Sequence, residues 1–99
     1  MGYNGNSMIK SFKHKGLEEF FLTGKKNGII PSHSDKLERI LDRLHASASV
    51  NDMGLPGFKL HKLSGKEKEI WSVWVNGNWR VTFYFREGDA YIVDYRDYH

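Results

Sequence analysis

Arg80, His61 and the closing run Asp97-Tyr98-His99 are the residues whose types can do chemistry together. A guanidinium keeps its charge at any biological pH and offers forked donors that match phosphate oxygens. Placed at a reacting phosphodiester, Arg80 would stabilise the negative charge that grows on the pentacoordinate phosphorus. The competing reading is a surface arginine stacked on Trp71 or paired with Asp94. A histidine titrates near neutrality, so His61 can take a proton from a ribose hydroxyl or return one to a leaving oxygen. It can equally be an ordinary exposed strand residue. Tyr98 and His99 are placed to handle a proton or to stack, with Asp97 beside them. His14, His33 and His45 lack a chemical neighbourhood and are expected to be structural.

The charge distribution fits a polyanionic ligand. The chain has 99 residues, with 15 Lys+Arg against 12 Asp+Glu, a formal net charge of +3. That excess is mild, but Lys59, Lys62, Lys66 and Lys68 fall in one short stretch next to an aromatic-rich segment. Ammonium groups beside aromatic platforms suit a nucleic-acid backbone and its bases; a solvated lysine-rich loop is the plainer alternative. Cysteine is absent, which removes disulfides, thiolate nucleophiles and cysteine-ligated zinc, and agrees with a cytoplasmic location. The spacing of Asp94, Asp97 and His99 matches no standard metal site, and no metal or cofactor is expected. Neither a serine nucleophile elbow nor a phosphate-cradling glycine loop is present. No apolar run approaches the roughly 20 residues that span a bilayer.

The elements that must position these side chains follow from periodicity. Residues 1–7 are polar and glycine-rich and are expected to be a leader or cloning remnant, with residues 8–99 forming one domain. Residues 8–12 alternate weakly and open as a short strand. Leu17, Phe20 and Phe21 mark a helix stopped by Gly24 and Asn27-Gly28. Pro31 restarts the chain, Ser32 or Asp35 can cap a second helix, and Leu37, Ile40, Leu41 and Leu44 form its apolar stripe to about Ala46. Residues 47–57 carry small and polar side chains and predict a loop. Residues 58–63 alternate as a strand. A hairpin about Asn76-Gly77 and a further strand over residues 90–95 complete a meander. The expected class is α+β, two N-terminal helices packed on one face of an antiparallel sheet.

With Asn76-Gly77 as a two-residue turn, Trp74 lies across from Trp79 and Val73 across from Arg80. Trp74, Trp79, Val81, Phe83 and Phe85 then share the core side. Trp71, Arg80, Thr82 and Tyr84 point the other way, mixing a cation with rings and a hydroxyl. On that reading Trp71 and Tyr84 join Lys59, Lys62, Lys66, Lys68 and Asp97 as candidate substrate contacts.

Three segments together resemble one family: the opening Met8-Ile9-Lys10-Ser11-Phe12-Lys13-His14-Lys15-Gly16-Leu17, the block Lys59-Leu60-His61-Lys62-Leu63-Ser64-Gly65, and the run Val75-Asn76-Gly77-Asn78-Trp79-Arg80-Val81-Thr82-Phe83 leading to Gly88-Asp89-Ala90-Tyr91 and Asp97-Tyr98-His99. The chain resembles the HigB branch of the RelE superfamily of type II toxin–antitoxin toxins, also called plasmid maintenance killer proteins, over residues 8–99. The resemblance implies a RelE-like microbial ribonuclease fold and a metal-independent mRNA interferase that cuts in the ribosomal 30S A site. It implies attack by the message's own 2′-hydroxyl, giving a 2′,3′-cyclic phosphate and a 5′-hydroxyl. It also implies a cognate HigA-like helix-turn-helix antitoxin, through which alone DNA is contacted. Carried over by position, His61 and Tyr98 transfer protons and place substrate, Arg80 meets transition-state charge, His99 supports them and Asp97 orients the terminal pair. The chain departs from the pattern at Ser64, where some relatives carry a catalytic lysine; Lys62, Lys66 or Lys68 is left to supply that ammonium. A non-catalytic RNA- or ribosome-binding module of the same fold is the alternative.

Overall fold

The computed structural model describes residues 8–98, so the expected leader and His99 lie outside the described residues. Helix α2 (Ser34–Ala46) organises the core. Leu37, Ile40, Leu41 and Leu44 recur at helical spacing and are all essentially buried, while Arg39, Asp42 and Arg43 face solvent. Neither Ser32 nor Asp35 caps it. The helix instead continues from a 3₁₀ turn, Pro31–His33, whose Pro31 carbonyl accepts from the Ser34 N–H. A tight turn of this kind satisfies backbone groups that a capping side chain would otherwise take.

Helix α1 (Lys15–Thr23) buries Leu17 and Phe20. His14 caps its start, its Nδ1 accepting from the Leu17 N–H at 3.0 Å. Gly24 ends it in the left-handed region at φ 83°, a conformation that costs glycine little. Gly16 meets the backbone of Gly28 so closely that a Cβ on Gly16 would lie 2.5 Å from the Gly28 carbonyl oxygen.

The sheet has five strands in the order β1-β5-β4-β3-β2: β1 (Met8–Ile9), β2 (His61–Lys62), β3 (Ile70–Asn76), β4 (Trp79–Arg86) and β5 (Asp89–Asp97). It is mixed rather than wholly antiparallel, because β1 pairs parallel to β5. Strand β1 precedes both helices, and its pairing with the last strand is a long-range contact that a meander pattern does not reveal. Val73, Val75, Val81, Phe83, Ala90, Val93 and Tyr95 form the covered face and join the α1 and α2 side chains in one core.

Three further expectations change. Residues 47–57 include a 3₁₀ turn, Val50–Met53, with Met53 fully buried and a capping box between Ser49 and Asp52. The Asp52 carboxylate accepts from the Ala48 and Ser49 N–H groups, and those bonds hold its pKa below the usual carboxylate value. The strand expected over 58–63 contracts to His61–Lys62, since Phe58 turns into the core and Lys59 adopts φ 49°. A left-handed residue cannot continue a strand.

The third change is register. The turn falls on Gly77 and Asn78, Asn76 pairs with Trp79, and an irregularity between Trp74 and Asn76 sets Trp74 opposite Arg80. Val73 meets Val81 and Trp71 meets Phe83. Trp71 and Trp74 therefore exchange sides relative to the two-residue-turn reading: Trp71 packs against the core, and Trp74 stands on the side of Arg80. A one-residue shift moves every side chain of a strand to the other face.

On the core side Tyr95 accepts from the Ile30 N–H at 3.4 Å and lies 2.7 Å from His33 Nδ1. Burial lowers the His33 pKa from its ordinary value of 6.5 and raises that of Tyr95. Because the folded His33 resists protonation, the unfolded chain binds more protons between the two values. Its contribution is present above 6.5 and is lost as pH falls from there through the lower folded value. Thermal melts should therefore show a lower Tm at pH 5 than at pH 7, with a smaller drop in His33→Gln; equal drops would remove His33 as the cause. At the helix–turn contact, Gly16→Ala should cost about 1–3 kcal/mol in chemical denaturation, and an unchanged midpoint would contradict the tight approach.

Candidate functional site on the open sheet face

The face of the sheet away from the helices is built by register. His61 pairs with Ser72, Ser72 with Thr82, and Thr82 with Asp94, so one row crosses four strands. The next row sets Trp74 opposite Arg80 and Arg80 opposite Arg96. Asp94, Arg96 and Tyr98 alternate along the chain onto this side. Tyr98 is held past the end of β5 by its N–H, which donates to the Asn78 carbonyl at 2.8 Å.

Two arginines face each other in that second row, and their surroundings differ. Arg96 Nε donates to Thr82 Oγ1 at 3.1 Å and lies 3.4 Å from Asp94 Oδ2, while its Nη1 meets the Glu67 carboxylate at 2.9 and 3.2 Å. Its guanidinium carbon sits 5.5 Å from the Tyr98 ring centre. Asp94 therefore pairs with Arg96, and Trp71 packs on the opposite side, so neither partner expected for a purely structural Arg80 is in place. Among the described residues Arg80 makes no ion pair.

Arg80 Nη1, Ser72 Oγ and Tyr98 Oη are buried without a hydrogen-bond partner among the described residues. Buried polar atoms are ordinarily satisfied, and each orphan costs on the order of 1–3 kcal/mol. Three on one face, one a guanidinium donor and two hydroxyls, suit a ligand rich in acceptor oxygens. His61 is exposed on β2 in the same row as Ser72.

The lysines divide. Lys59 Nζ lies 4.3 Å from the Trp74 ring centre and Lys62 Nζ 5.5 Å from that of Trp71. Lys66 and Lys68 are exposed on the 3₁₀ turn Gly65–Glu67 and the residue after it. Glu67 fastens that turn to Arg96. Tyr84 stands two positions beyond Thr82 on the open face, opposite Tyr91, with ring centres 6.0 Å apart. Asp97 pairs in register with Trp79. Of the three histidines expected to be structural, His14 caps α1, His33 meets Tyr95, and His45 Nδ1 accepts from the Ile9 N–H at 3.2 Å.

Sequence reasoning missed Ser72, Trp74, Arg96 and Lys36. The alternation Asp94, Arg96, Tyr98 carried a readable signal for Arg96. Lys36, which reaches Trp74 from α2, carried none, because its contact exists only in the folded chain. Among the described residues no group of three or more metal-binding side chains converges, and no helix is long and apolar enough to cross a membrane.

Fold and face together define a small α+β protein with helices on one side of a sheet and a ligand-ready cationic surface on the other. The family model described as "RelE-like toxin of type II toxin-antitoxin system HigB" matches residues 10–99. The chain is 41% identical over 92 residues to Endoribonuclease HigB of Proteus vulgaris, covering 93% of this chain and 100% of that one. It is 34% identical over 85 residues to Toxin HigB-1 of Vibrio cholerae serotype O1, covering 84% and 90% respectively. The chain belongs to the HigB-like toxin family, and a type II toxin implies an antitoxin partner.

Deleting an orphaned hydroxyl should not weaken the fold. Ser72→Ala is expected to leave stability unchanged or raise it by up to about 1 kcal/mol in denaturant titration. A loss larger than that would mean Ser72 has an internal partner.

Proposed function

We propose that this chain is an endoribonuclease that cuts messenger RNA in the ribosomal A site and thereby blocks translation. The observation that carries the reading is Arg80, a guanidinium with an orphaned Nη1, sharing a face with the orphaned Tyr98 hydroxyl and with His61. The relative named an endoribonuclease, 41% identical over nearly the whole chain, supports it.

In the proposed reaction the 2′-oxygen of the message attacks the adjacent phosphorus. A bond forms between O2′ and phosphorus while the bond to O5′ breaks, leaving a 2′,3′-cyclic phosphate and a 5′-hydroxyl. One proton leaves the 2′-hydroxyl and one arrives at O5′; His61 and Tyr98 are the candidates for these transfers. Arg80 faces the charge that accumulates on the non-bridging oxygens. This route needs no metal. Asp97 orients the terminal pair, and His99 supports it. Lys59, Lys62, Lys66 and Lys68 engage phosphates, with Lys62, Lys66 or Lys68 supplying the ammonium that Ser64 cannot. Tyr84 offers a stacking surface and Trp71 supports Lys62. The resting partner is a HigA-like helix-turn-helix antitoxin, and the working site is the cytoplasmic ribosome.

The test is a reconstituted translation reaction with a defined message, its ends mapped by primer extension. New ends are expected only with programmed ribosomes, and Arg80→Ala should cut their rate of appearance by on the order of 10²-fold or more. Tight ribosome binding without new ends would make the protein a binding module instead.

A further inference from the structure

Trp74 is approached by two ammonium groups. Lys59 Nζ lies 4.3 Å and Lys36 Nζ 4.6 Å from its ring centre. Lys36 comes from α2 and also donates to the Gly57 carbonyl at 3.2 Å, while Lys59 follows the turn that carries Phe58 into the core. The indole is itself fixed, its Nε1–H donating to the Gly77 carbonyl at 2.9 Å. Helix, loop and hairpin thus converge on one ring.

A cation over an aromatic face is a common stabilising contact, but one ammonium suffices for it. The second adds repulsion, and Arg39, one turn along α2, adds more. Burial first, then Arg39 and Lys59, lower the Lys36 pKa. No carboxylate relieves this: among the described residues neither Lys36 nor Lys59 makes an ion pair. The fold therefore holds two like charges together on rigid supports with no internal counter-charge. Such an arrangement lowers its energy when an external anion arrives.

The location narrows which anion. Trp74 is the register partner of Arg80, so the backbone that carries the indole lies one strand from the backbone of the arginine proposed to meet the cleaved linkage. We infer that Lys36, Lys59 and the indole of Trp74 form a second backbone-binding site, which holds a phosphodiester of RNA outside the linkage that is cut. The inference rests on the reading of the ligand as RNA. It adds a helix residue, Lys36, to the RNA-binding surface and turns Trp74 from a core tryptophan into the support of a phosphate clamp. The chain would then grip RNA at two points across adjacent strands, which fixes the direction in which the strand crosses Arg80.

The salt dependence of binding reports how many phosphates the protein neutralises. The full-length protein would be titrated by fluorescence anisotropy at several salt concentrations, against a labelled 2′-O-methyl RNA oligonucleotide that cannot be cleaved and against vacant ribosomes. On the oligonucleotide, Lys36→Gln with Lys59→Gln should lower the log–log salt slope by about 0.7, the share of the one single-strand phosphate that the pair neutralises. Lys59→Gln alone, which leaves the Gly57 bond untouched, should lower it by less, because Lys36 still faces the same phosphate. Lys25→Gln with Lys26→Gln removes equal charge beyond α1 and should leave the slope alone. A drop on the oligonucleotide assigns the site to the message, and a drop on ribosomes only assigns it to ribosomal RNA. Unchanged slopes on both probes, an equal drop in the Lys25/Lys26 control, or no binding by the wild type would each overturn it. Failure of the nuclease reading looks different: no new message ends from the wild type, with the slope change intact. New ends alongside an unchanged slope would remove this site only.

Discussion

The pairing of Val73 with Val81 decides which side chains of the sheet meet the helices and which are left for a ligand. Val73 and Val75 are both buried, so their compact branched side chains sit under α2 and the intervening Trp74 is driven outward. The same pairing holds Arg80, Thr82 and Tyr84 on the open side. Burying a valine contributes roughly 1.5–3 kcal/mol, and a slip by one residue would exchange two such gains for an indole in the core and exposed valines. The core therefore fixes the position of Arg80 more firmly than any polar contact of Arg80 itself could.

Charge on the open face follows from this placement. Arg80 and Arg96 stand opposite each other, and like charges directly across a ladder oppose pairing. Asp94 and Glu67 meet that difficulty on one side only, by neutralising Arg96. The outcome is asymmetric: one guanidinium is held by three side chains, and its neighbour keeps an orphaned nitrogen. Unpaired polar atoms weaken a fold, so their concentration around Arg80 points to stability being traded for a prepared surface. The same logic extends to Lys36 and Lys59, where two ammonium groups crowd one ring and, among the described residues, neither makes an ion pair.

What the sequence could disclose depended on the range of the contacts involved. The stripe Leu37, Ile40, Leu41, Leu44 and the stop at Gly24 are local, and both were legible in spacing and residue type. The hairpin was legible too, but not its register: the turn falls on Gly77-Asn78, and the irregularity between Trp74 and Asn76 then offsets β3 by one residue so that Val73 meets Val81. That irregularity accounts for the reversed placement of Trp71 and Trp74, since moving the turn alone shifts the pairing by two residues and keeps the faces. The parallel pairing of β1 with β5 and the meeting of Lys36 with Trp74 are tertiary facts with no local trace. The candidates Arg80, His61 and Tyr98 were reachable because strand alternation and the family motifs singled them out, whereas Ser72 looked like any strand serine until its lack of a partner became visible.

The contact between Glu67 and Arg96 shows why the lysine turn is more than a solvated loop. Both side chains are partly exposed, and pairs of that kind add little to stability, typically about 0–1 kcal/mol. Its consequence is positional. Arg96 is already fixed by Thr82 and Asp94, so Glu67 ties the turn Gly65–Glu67 to the strand that leads into Tyr98. Lys66 and Lys68 flank that anchor, their backbone on or next to the tied turn and their side chains exposed. An ammonium tethered this way loses less freedom on meeting a phosphate than one on a free loop. In the proposed reaction Lys62, Lys66 or Lys68 takes the place of the ammonium absent at Ser64, and the anchored turn carries or adjoins two of these three.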